Sequence, residues 1–309
     1  IKRDGWRFEP VKGEPFDLKC RGEVNPKTKL LTYEVYVEEF IAGPVPTLYA
    51  DLLCTSDGLK AFHARRVGLQ LVPDWPMSRL PAMVDKFPDA DVKVLLDGDY
   101  TDPVPVAEAD GFKFGYHSMA ACAWGKPSDA FGPMYARYDG GAHVARLPGE
   151  PYHFMTRTTH IDGLIGSFKA GNAIEIEYDV PPDAWYFREN DNPTMPFCVF
   201  LEAALQPCGW LACFVGSTLT SDEPLFFRNL DGTGTMRAEI VPSAGTFRTR
   251  VKLTNISRSG AMIIQSFDVQ CLVGDTVVYD LKTVFGFFPA EALANQVGLP
   301  CKPADFALL

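Results

Sequence analysis

One apolar run near the middle of the chain constrains the fold more than any other feature. It predicts a single helix over Met195–Val215, in which one carboxylate, Glu202, and one amide, Gln206, interrupt an otherwise almost wholly apolar sequence. A helix that is apolar on every face must be buried on every face. Glu202 and Gln206 are four residues apart, so they lie on the same helix face, one turn above the other.

The chemistry of this pair follows from its burial. A carboxylate among apolar neighbours costs several kcal/mol unless it is neutral or well partnered. Burial therefore raises its pKa and keeps it protonated, ready to donate a proton near neutral pH. Glu202 is therefore a candidate catalytic acid, with Gln206 placed to orient it or a water molecule, and the family motif described below favours this role. The other interpretation is that Glu202 is a core acid satisfied by a neighbouring backbone amide.

The turn before the helix is a second candidate. Met195-Pro196-Phe197-Cys198 stands at the helix start, where free N–H groups and the helix dipole can hold a carbonyl oxygen. We predict that these four residues, with Gly209 further along the helix, bind substrate.

The run resembles the central helix of hot-dog dehydratases of the bacterial β-hydroxydecanoyl thioester dehydratase type. These enzymes have a Met-Pro-Gly-Cys turn, an acid in the helix and a Gln four residues later. A narrower resemblance is to the tandem dehydratase region of polyunsaturated fatty acid synthases. Its motifs in this chain are Gly132-Pro133-Met134-Tyr135, Met195-Pro196, Leu201-Glu202-Ala203-Ala204-Leu205-Gln206, Phe227-Arg228-Asn229-Leu230-Asp231, Phe285-Gly286-Phe287-Phe288-Pro289 and Gln296-Val297-Gly298-Leu299.

This resemblance implies an α+β hot-dog fold, in which a curved antiparallel sheet wraps around the long central helix. It implies a 3-hydroxyacyl-[acyl-carrier-protein] dehydratase, a hydro-lyase that removes water to give a 2-enoyl thioester. The substrate would be carried on the phosphopantetheine of an acyl carrier protein, with no other cofactor and no metal. In the synthases each dehydratase is a double hot-dog, and the first hot-dog lacks the catalytic His that the second carries.

Three features depart from the family pattern. Glu202 stands where the family usually has Asp, and Phe197 replaces the Gly of the turn. No His follows Trp185-Tyr186-Phe187, where the family has a strand and then its catalytic His. Of the five histidines, His153 is the best remaining catalytic candidate, since Tyr152-His153-Phe154 could place an imidazole near a substrate groove. By resemblance, Glu202 would face the His of an adjacent hot-dog beyond Leu309, or of a second copy in a homodimer.

Strand and turn patterns suggest four regions. Residues 1–75 resemble the C-terminal strands of a preceding hot-dog, and we expect them to form a separate small sheet with a two-residue turn at Asp57-Gly58. Residues 76–111 are predicted to be a linker, 112–290 the hot-dog domain and 291–309 a tail. Within the domain we expect strands over Phe154–His160, Ala173–Val180, Met236–Ser243, Gly245–Ile256, Ala261–Leu272 and Val277–Phe287.

Charge and cysteine spacing exclude several classes of binding partner. The formal net charge is −10, from 29 Lys and Arg against 39 Asp and Glu, with no basic block, so nucleic acid is a poor partner. The eight cysteines lack zinc-type spacing and indicate free thiols in a reducing cytoplasm. No uncharged run reaches the length of a membrane span. The chain opens at Ile1 without Met, so we expect a fragment or a processed chain.

Two other functions fit part of the pattern. A non-catalytic hot-dog that scaffolds its neighbour would explain the missing His and Phe197. A hot-dog thioesterase also places a carboxylate on the central helix, although it would lack the Glu-x-x-x-Gln pairing.

Overall fold

The computed structural model describes residues 6–73, 102, 104–149, 151–190, 192 and 194–299. The predicted linker falls largely outside the described residues, and so does the end of the predicted tail. The described part is mainly β-structure, with one long helix and several short ones.

The N-terminal block is residues 6–73. Its strands are β1 (Trp6–Pro10), β2 (Pro15–Cys20), β3 (Leu31–Ile41), β4 (Thr47–Ser56) and β5 (Leu59–Pro73). The predicted turn at Asp57-Gly58 is confirmed, since Ser56 pairs with Leu59 and both turn residues have positive φ, 47° and 87°. This is the conformation that favours Asp-Gly in two-residue hairpins.

A connecting region precedes the predicted hot-dog domain. It contains a small hairpin and two short helices followed by a 3-10 turn. These elements are β6 (Glu108–Ala109), β7 (Phe112–Lys113), α1 (Tyr116–Ala121), α2 (Pro127–Phe131) and the turn Pro133–Tyr138. Tyr135 anchors the region on the domain, since its buried hydroxyl donates to the Cys213 carbonyl oxygen at 2.5 Å.

The remaining elements surround one central helix. The strands are β8 (Arg157–Asp162), β9 (Ala173–Asp179), β10 (Leu225–Met236), β11 (Thr246–Ser259), β12 (Met262–Val273) and β13 (Thr276–Pro289). The helices are α3 (Trp185–Arg188), α4 (Phe197–Phe214) and α5 (Ala290–Ala294), with 3-10 turns at Ser217–Thr220 and Pro242–Ala244.

Helix α4 is the predicted central helix. It packs against β9, β11 and β12, and its second half is buried on all sides, with Trp210 and Phe214 fully inaccessible and stacked 5.2 Å apart. In the described part of the chain, this is the one helix long and apolar enough to cross a membrane. Most of it is buried inside the protein, as expected for a core helix. The predicted hot-dog-like arrangement of an antiparallel sheet around a long helix is therefore confirmed.

The expectation of a separate N-terminal sheet is wrong. All described strands except β6 and β7 belong to one antiparallel sheet in the order β3-β4-β5-β2-β10-β13-β12-β11-β9-β8, with β1 paired to β5. Strand β2 pairs with β10 from Asp231↔Lys19 to Thr235↔Pro15. Each block presents an edge with unpaired backbone groups, and joining the two edges satisfies both.

Side chains reinforce this junction between β2 and β10. Arg21 donates to the Asp231 carboxylate and to the Leu230 carbonyl oxygen, each at 2.6 Å. The Thr233 hydroxyl donates to Asp17 at 2.6 Å. Patterns within either block say nothing about which edges meet, so the sequence could not predict the junction.

Two other local expectations are corrected. The strand expected over Met236–Ser243 lies earlier, as β10, and the chain instead makes a 3-10 turn at Pro242–Ala244. The segment expected as a strand by resemblance, Asp183 to Phe187, instead leads into helix α3. That helix is held by the Trp185 indole, which donates to the Pro151 carbonyl oxygen at 3.1 Å.

Candidate active site at the start of helix α4

Gln206 connects the central helix to the segment before β8. It is 2% exposed, and its Oε1 accepts a hydrogen bond from the Phe154 backbone N–H at 2.8 Å. Its Nε2 donates to the Tyr152 carbonyl oxygen at 2.8 Å and to Glu202 Oε1 at 3.1 Å. Both hydrogens of the amide are therefore used within the protein. Gln206 positions Glu202 and the 152–154 backbone, which supports the orienting role predicted for it.

Glu202 lies one helical turn before Gln206 and is half-buried. Burial raises the pKa of its carboxyl group, and the hydrogen bond from Gln206 lowers it by a smaller amount. Among the described residues, no cation contributes to this balance. The side chain therefore has the property expected of a general acid, a carboxyl group that holds its proton to higher pH than an exposed Glu.

Tyr152 is a neighbour that sequence reasoning missed. Its ring packs on Phe154 and Trp185, with centroids 4.9 and 6.4 Å away. Burial raises the pKa of the Tyr152 hydroxyl to about 12, and the nearby Cys198 and Glu202 groups add to the effect. The hydroxyl therefore keeps its proton, and it is near enough to Glu202 for the two groups to interact electrostatically. The sequence drew attention to this segment through His153, and only the fold brings Tyr152 near the acid.

His153 lies in the same segment, but its ring contacts a backbone carbonyl group and not Glu202. It is 5% exposed, and its Nδ1 is 3.0 Å from the Pro148 carbonyl oxygen. Burial lowers the pKa of the imidazole, and the Pro148 and Met155 backbone groups oppose this. Its Nε2 is buried without a hydrogen-bond partner among the described residues. A catalytic role for His153 stays a prediction, and no hydrogen bond links it to Glu202 within that part of the chain.

The other four histidines are dispersed. His63 pairs with Asp51 at 3.1 Å, and the His143 ring packs on the Phe226 ring in a tilted arrangement, with centroids 4.4 Å apart. His117 is on α1, and His160 is exposed on β8. In the described ranges, no group of three His, Cys, Asp or Glu side chains could hold a metal ion.

The predicted substrate-binding turn forms the start of α4. Its first helical hydrogen bonds run from Val199 and Phe200 to the Pro196 carbonyl oxygen, both at 3.0 Å. The N–H groups of Phe197 and Cys198 precede these bonds, as at every helix start. Cys198 is exposed, whereas Met195 is 3% exposed and anchored by its N–H to the Ile240 carbonyl oxygen at 2.8 Å.

Gly209 serves packing in this structure. A Cβ at this position would lie 2.7 Å from Leu147 Cδ2 and 3.0 Å from Phe227 Cε1. The glycine therefore lets Leu147 and Phe227 approach the helix backbone. Its predicted contact with substrate stays a prediction.

Replacing Glu202 with Gln is expected to remove a pH-dependent loss of stability. In the folded chain the carboxyl pKa lies above its ordinary value of 4.5, so the folded state keeps a proton that the unfolded chain loses first. The unfolded state then binds fewer protons, and the free energy of unfolding falls as the pH rises from about 4.5 to the folded pKa. Urea titrations of both proteins from about pH 4 to about pH 7 should show that the free energy of unfolding of Glu202→Gln increases relative to that of the wild type as the pH rises. A stability difference that does not change with pH would contradict the raised pKa.

Comparison with known proteins places this site in a family. Residues 147–282 match the FabA-like domain. The chain therefore contains a FabA-like domain of the hot-dog dehydratase family, and the resemblance found in its motifs is confirmed.

A particular relative is a polyunsaturated fatty acid synthase subunit of Thraustochytrium sp. The two are 30% identical over 194 residues, which is 60% of this chain and 13% of that protein. The chain thus spans a small part of its relative.

Solved thioesterases also align with the chain. A tesB protein of Mycobacterium avium subs paratuberculosis aligns over 91% of this chain and 80% of its own, with a TM-score of 0.43 and 11% identity. Acyl-CoA thioesterase II of Mycobacterium marinum aligns over 91% and 81%, with a TM-score of 0.43 and 9% identity.

Proposed function

We propose that this chain supplies the acid-bearing half of a 3-hydroxyacyl thioester dehydratase within a polyunsaturated fatty acid synthase. The observation that carries the proposal is the Glu202–Gln206 pair, a carboxyl group with a raised pKa held by a fully bonded amide. The FabA-like domain and the synthase relative support the reaction class.

The proposed reaction needs two groups. A base removes the proton from Cα of the 3-hydroxyacyl thioester, and the electron pair forms the Cα–Cβ double bond as the Cβ–O bond breaks. Glu202 gives its proton to the departing hydroxyl, so that water leaves and a 2-enoyl thioester remains. The proton taken by the base returns to Glu202 through solvent, which closes the cycle.

The base is proposed to come from an adjacent hot-dog. Within the described residues no histidine is bonded to Glu202, and His153 is engaged by the Pro148 carbonyl oxygen. A His-bearing hot-dog placed opposite Glu202 would complete the site, and a second copy of this chain would bring no such histidine at the family position.

The sheet supports the double hot-dog and suggests which neighbour takes part. Strand β2 belongs to the block that resembles a preceding hot-dog, and it pairs antiparallel with β10, the strand that follows α4. The N-terminal block thus occupies the edge through which a partner hot-dog would join. We therefore propose that the partner is the hot-dog to which residues 6–73 belong, since β2 pairs with β10 from Asp231 to Thr235.

The substrate would arrive on the phosphopantetheine of an acyl carrier protein. The N–H groups of Phe197 and Cys198 are suited to the thioester carbonyl oxygen, and Tyr152 lies near the acid as a second donor. The chain itself would then need no resident cofactor.

Two other functions stay open as outcomes of the test. A scaffolding hot-dog is favoured by Phe197, which stands where the family has Gly, and by the missing histidine. A thioesterase would use Glu202 to hydrolyse the thioester, leaving the hydroxyl on the acid.

The test compares the isolated chain with the same chain joined to its His-bearing neighbour. On a 3-hydroxyacyl pantetheine thioester, the isolated chain should form little or no 2-enoyl product, because it brings only the acid. Activity should appear in the joined protein. Robust dehydration by the isolated chain would contradict the proposal and make His153 the next residue to replace.

A further inference from the structure

The segment that follows α5 crosses from the hot-dog domain to the N-terminal block. At its start, the Gln296 N–H donates to the Leu293 carbonyl oxygen at 3.2 Å. At its end, the Leu299 N–H donates to the Lys60 carbonyl oxygen at 3.0 Å, at the start of β5. We call residues 295–299 the clasp, because they are hydrogen-bonded to both blocks.

Arg228 on β10 binds the clasp to both blocks. Its Nη1 donates to Gln296 Oε1 at 2.5 Å, and its Nη2 donates to the Glu23 carboxylate, after β2, at 3.4 Å. The Arg228 side chain is 15% exposed, and burial lowers the pKa of the guanidinium while Glu23 opposes this. A guanidinium so far removed from water is stable only with such partners, so it holds them in one arrangement. Arg228 and Gln296 belong to two motifs shared with the synthases, and the fold brings these motifs together.

Gly298 lets the clasp lie close to the N-terminal block. Its φ is +73°, and a Cβ here would lie 2.8 Å from both Leu59 Cδ1 and the Lys60 carbonyl oxygen. Gln296 and Gly298 are half-buried, whereas Val297 between them is 88% exposed. One side of the clasp therefore faces the protein, and a side chain at position 298 would push it away from β5.

The clasp lies at one end of the pairing between β2 and β10. That pairing includes five residue pairs and begins at Asp231↔Lys19. Arg228 and Glu23 lie just beyond this first pair along their two chains. A short strand pairing opens most readily from its ends. The clasp therefore joins the two blocks at an end from which they would separate.

We propose that the clasp holds β2 in register on β10, and that Gln296 and Gly298 are positioning residues for the base that meets Glu202. The positioning role rests on the proposed function, in which the hot-dog that contains residues 6–73 presents that base. Proton transfer depends on the distance between base and substrate, and a displacement of about 1 Å can lower a rate about 10²-fold. A junction that opens or slides would displace the base in this way.

Hydrogen exchange of the full chain tests the clasp without catalysis. Gln296→Ala removes the acceptor of the Arg228 hydrogen bond, and the β2 amides should then exchange about tenfold faster, as expected for the loss of one hydrogen bond to a charged group. Gln296→Glu keeps an acceptor oxygen for Arg228 and should exchange like the wild type. Gly298→Ala should also speed exchange, because its Cβ displaces the Leu299 hydrogen bond to Lys60.

Gly260→Ala is the matched control for Gly298→Ala. Gly260 also has a positive φ, +61°, but no other described residue comes within 4 Å of a Cβ built there. The two substitutions therefore carry similar backbone strain, and only the one in the clasp meets a neighbour. Exchange of the β2 amides should be unchanged in Gly260→Ala.

The kinetics of the joined protein test the positioning role. Gln296→Ala should lower kcat about tenfold and leave KM within about twofold, since the substrate still binds while the base is displaced. Gln296→Glu should restore kcat. Faster exchange in Gln296→Ala together with an unchanged kcat would overturn the positioning role.

The exchange data separate the clasp from the proposed function. Unchanged β2 exchange in both Gln296→Ala and Gly298→Ala would overturn the clasp, even if the joined protein dehydrates its substrate. Faster exchange in both, in a joined protein that forms no 2-enoyl product, would uphold the clasp and reject the dehydratase.

Discussion

Glu202→Gln in the joined protein is expected to lower the rate of dehydration about 10²–10⁴-fold, the usual effect of one positioned acid–base group. The substitution keeps the size of the side chain and an oxygen that can accept from Gln206 Nε2, as Glu202 does at 3.1 Å. It removes the proton that the leaving hydroxyl needs. The initial rate of 2-enoyl thioester formation measures the effect.

Glu223→Gln is the matched control for this experiment. Glu223 is exposed in the turn before β10, so the same change there should leave the rate as it was. If Glu202→Gln also left the rate unchanged, Glu202 would be a satisfied core acid and the domain a scaffold.

The second large effect concerns stability. Arg157, at the start of β8, is 1% exposed and pairs with Asp102 at 3.0 Å, with Glu177 at 2.7 Å and with Asp179. Replacing it with Met leaves three acidic groups around a buried site without their cation. Breaking a buried ion pair from one side costs about 3–5 kcal/mol, and we expect Arg157→Met to lower the free energy of unfolding by that amount.

Urea unfolding of Arg157→Met and Arg250→Met provides the test. Arg250 is 51% exposed and pairs with Glu175 at 2.7 Å, so its replacement should cost about 0–1 kcal/mol. Equal costs for the two variants would show that the Arg157 cluster adds no more than a surface pair. We also expect Arg157→Met to loosen the neighbouring 152–154 segment, whose backbone is hydrogen-bonded to Gln206.

Much of the site could be predicted from the sequence because it depends on local periodicity. The apolar run around Glu202 and Gln206 required a buried helix, and their spacing required one face. The hydrogen bond at 3.1 Å and the raised pKa follow from those two facts. The turn at Asp57-Gly58 was predictable for the same local reason.

What the sequence could not predict depends on contacts between distant segments. Strand β10 contains Asn229, Gly232 and Gly234, which are typical of turns, and the pattern therefore favoured a strand further along. In the fold, a Cβ on Gly234 would lie 2.3 Å from the Tyr279 hydroxyl oxygen, so the glycine makes room for a buried ring. The position of Tyr152 beside Glu202 likewise follows from backbone bonds to Gln206 across 54 residues.

The mass of the product tests most directly whether Glu202 is the acid of a dehydratase. The joined protein is incubated with a 3-hydroxyacyl pantetheine thioester, and the products are identified by mass spectrometry. We predict a 2-enoyl pantetheine thioester, lighter than the substrate by one water, that forms in the wild type and is nearly lost in Glu202→Gln. Free pantetheine together with an intact 3-hydroxy acid, or equal yields from the two proteins, would contradict the claim.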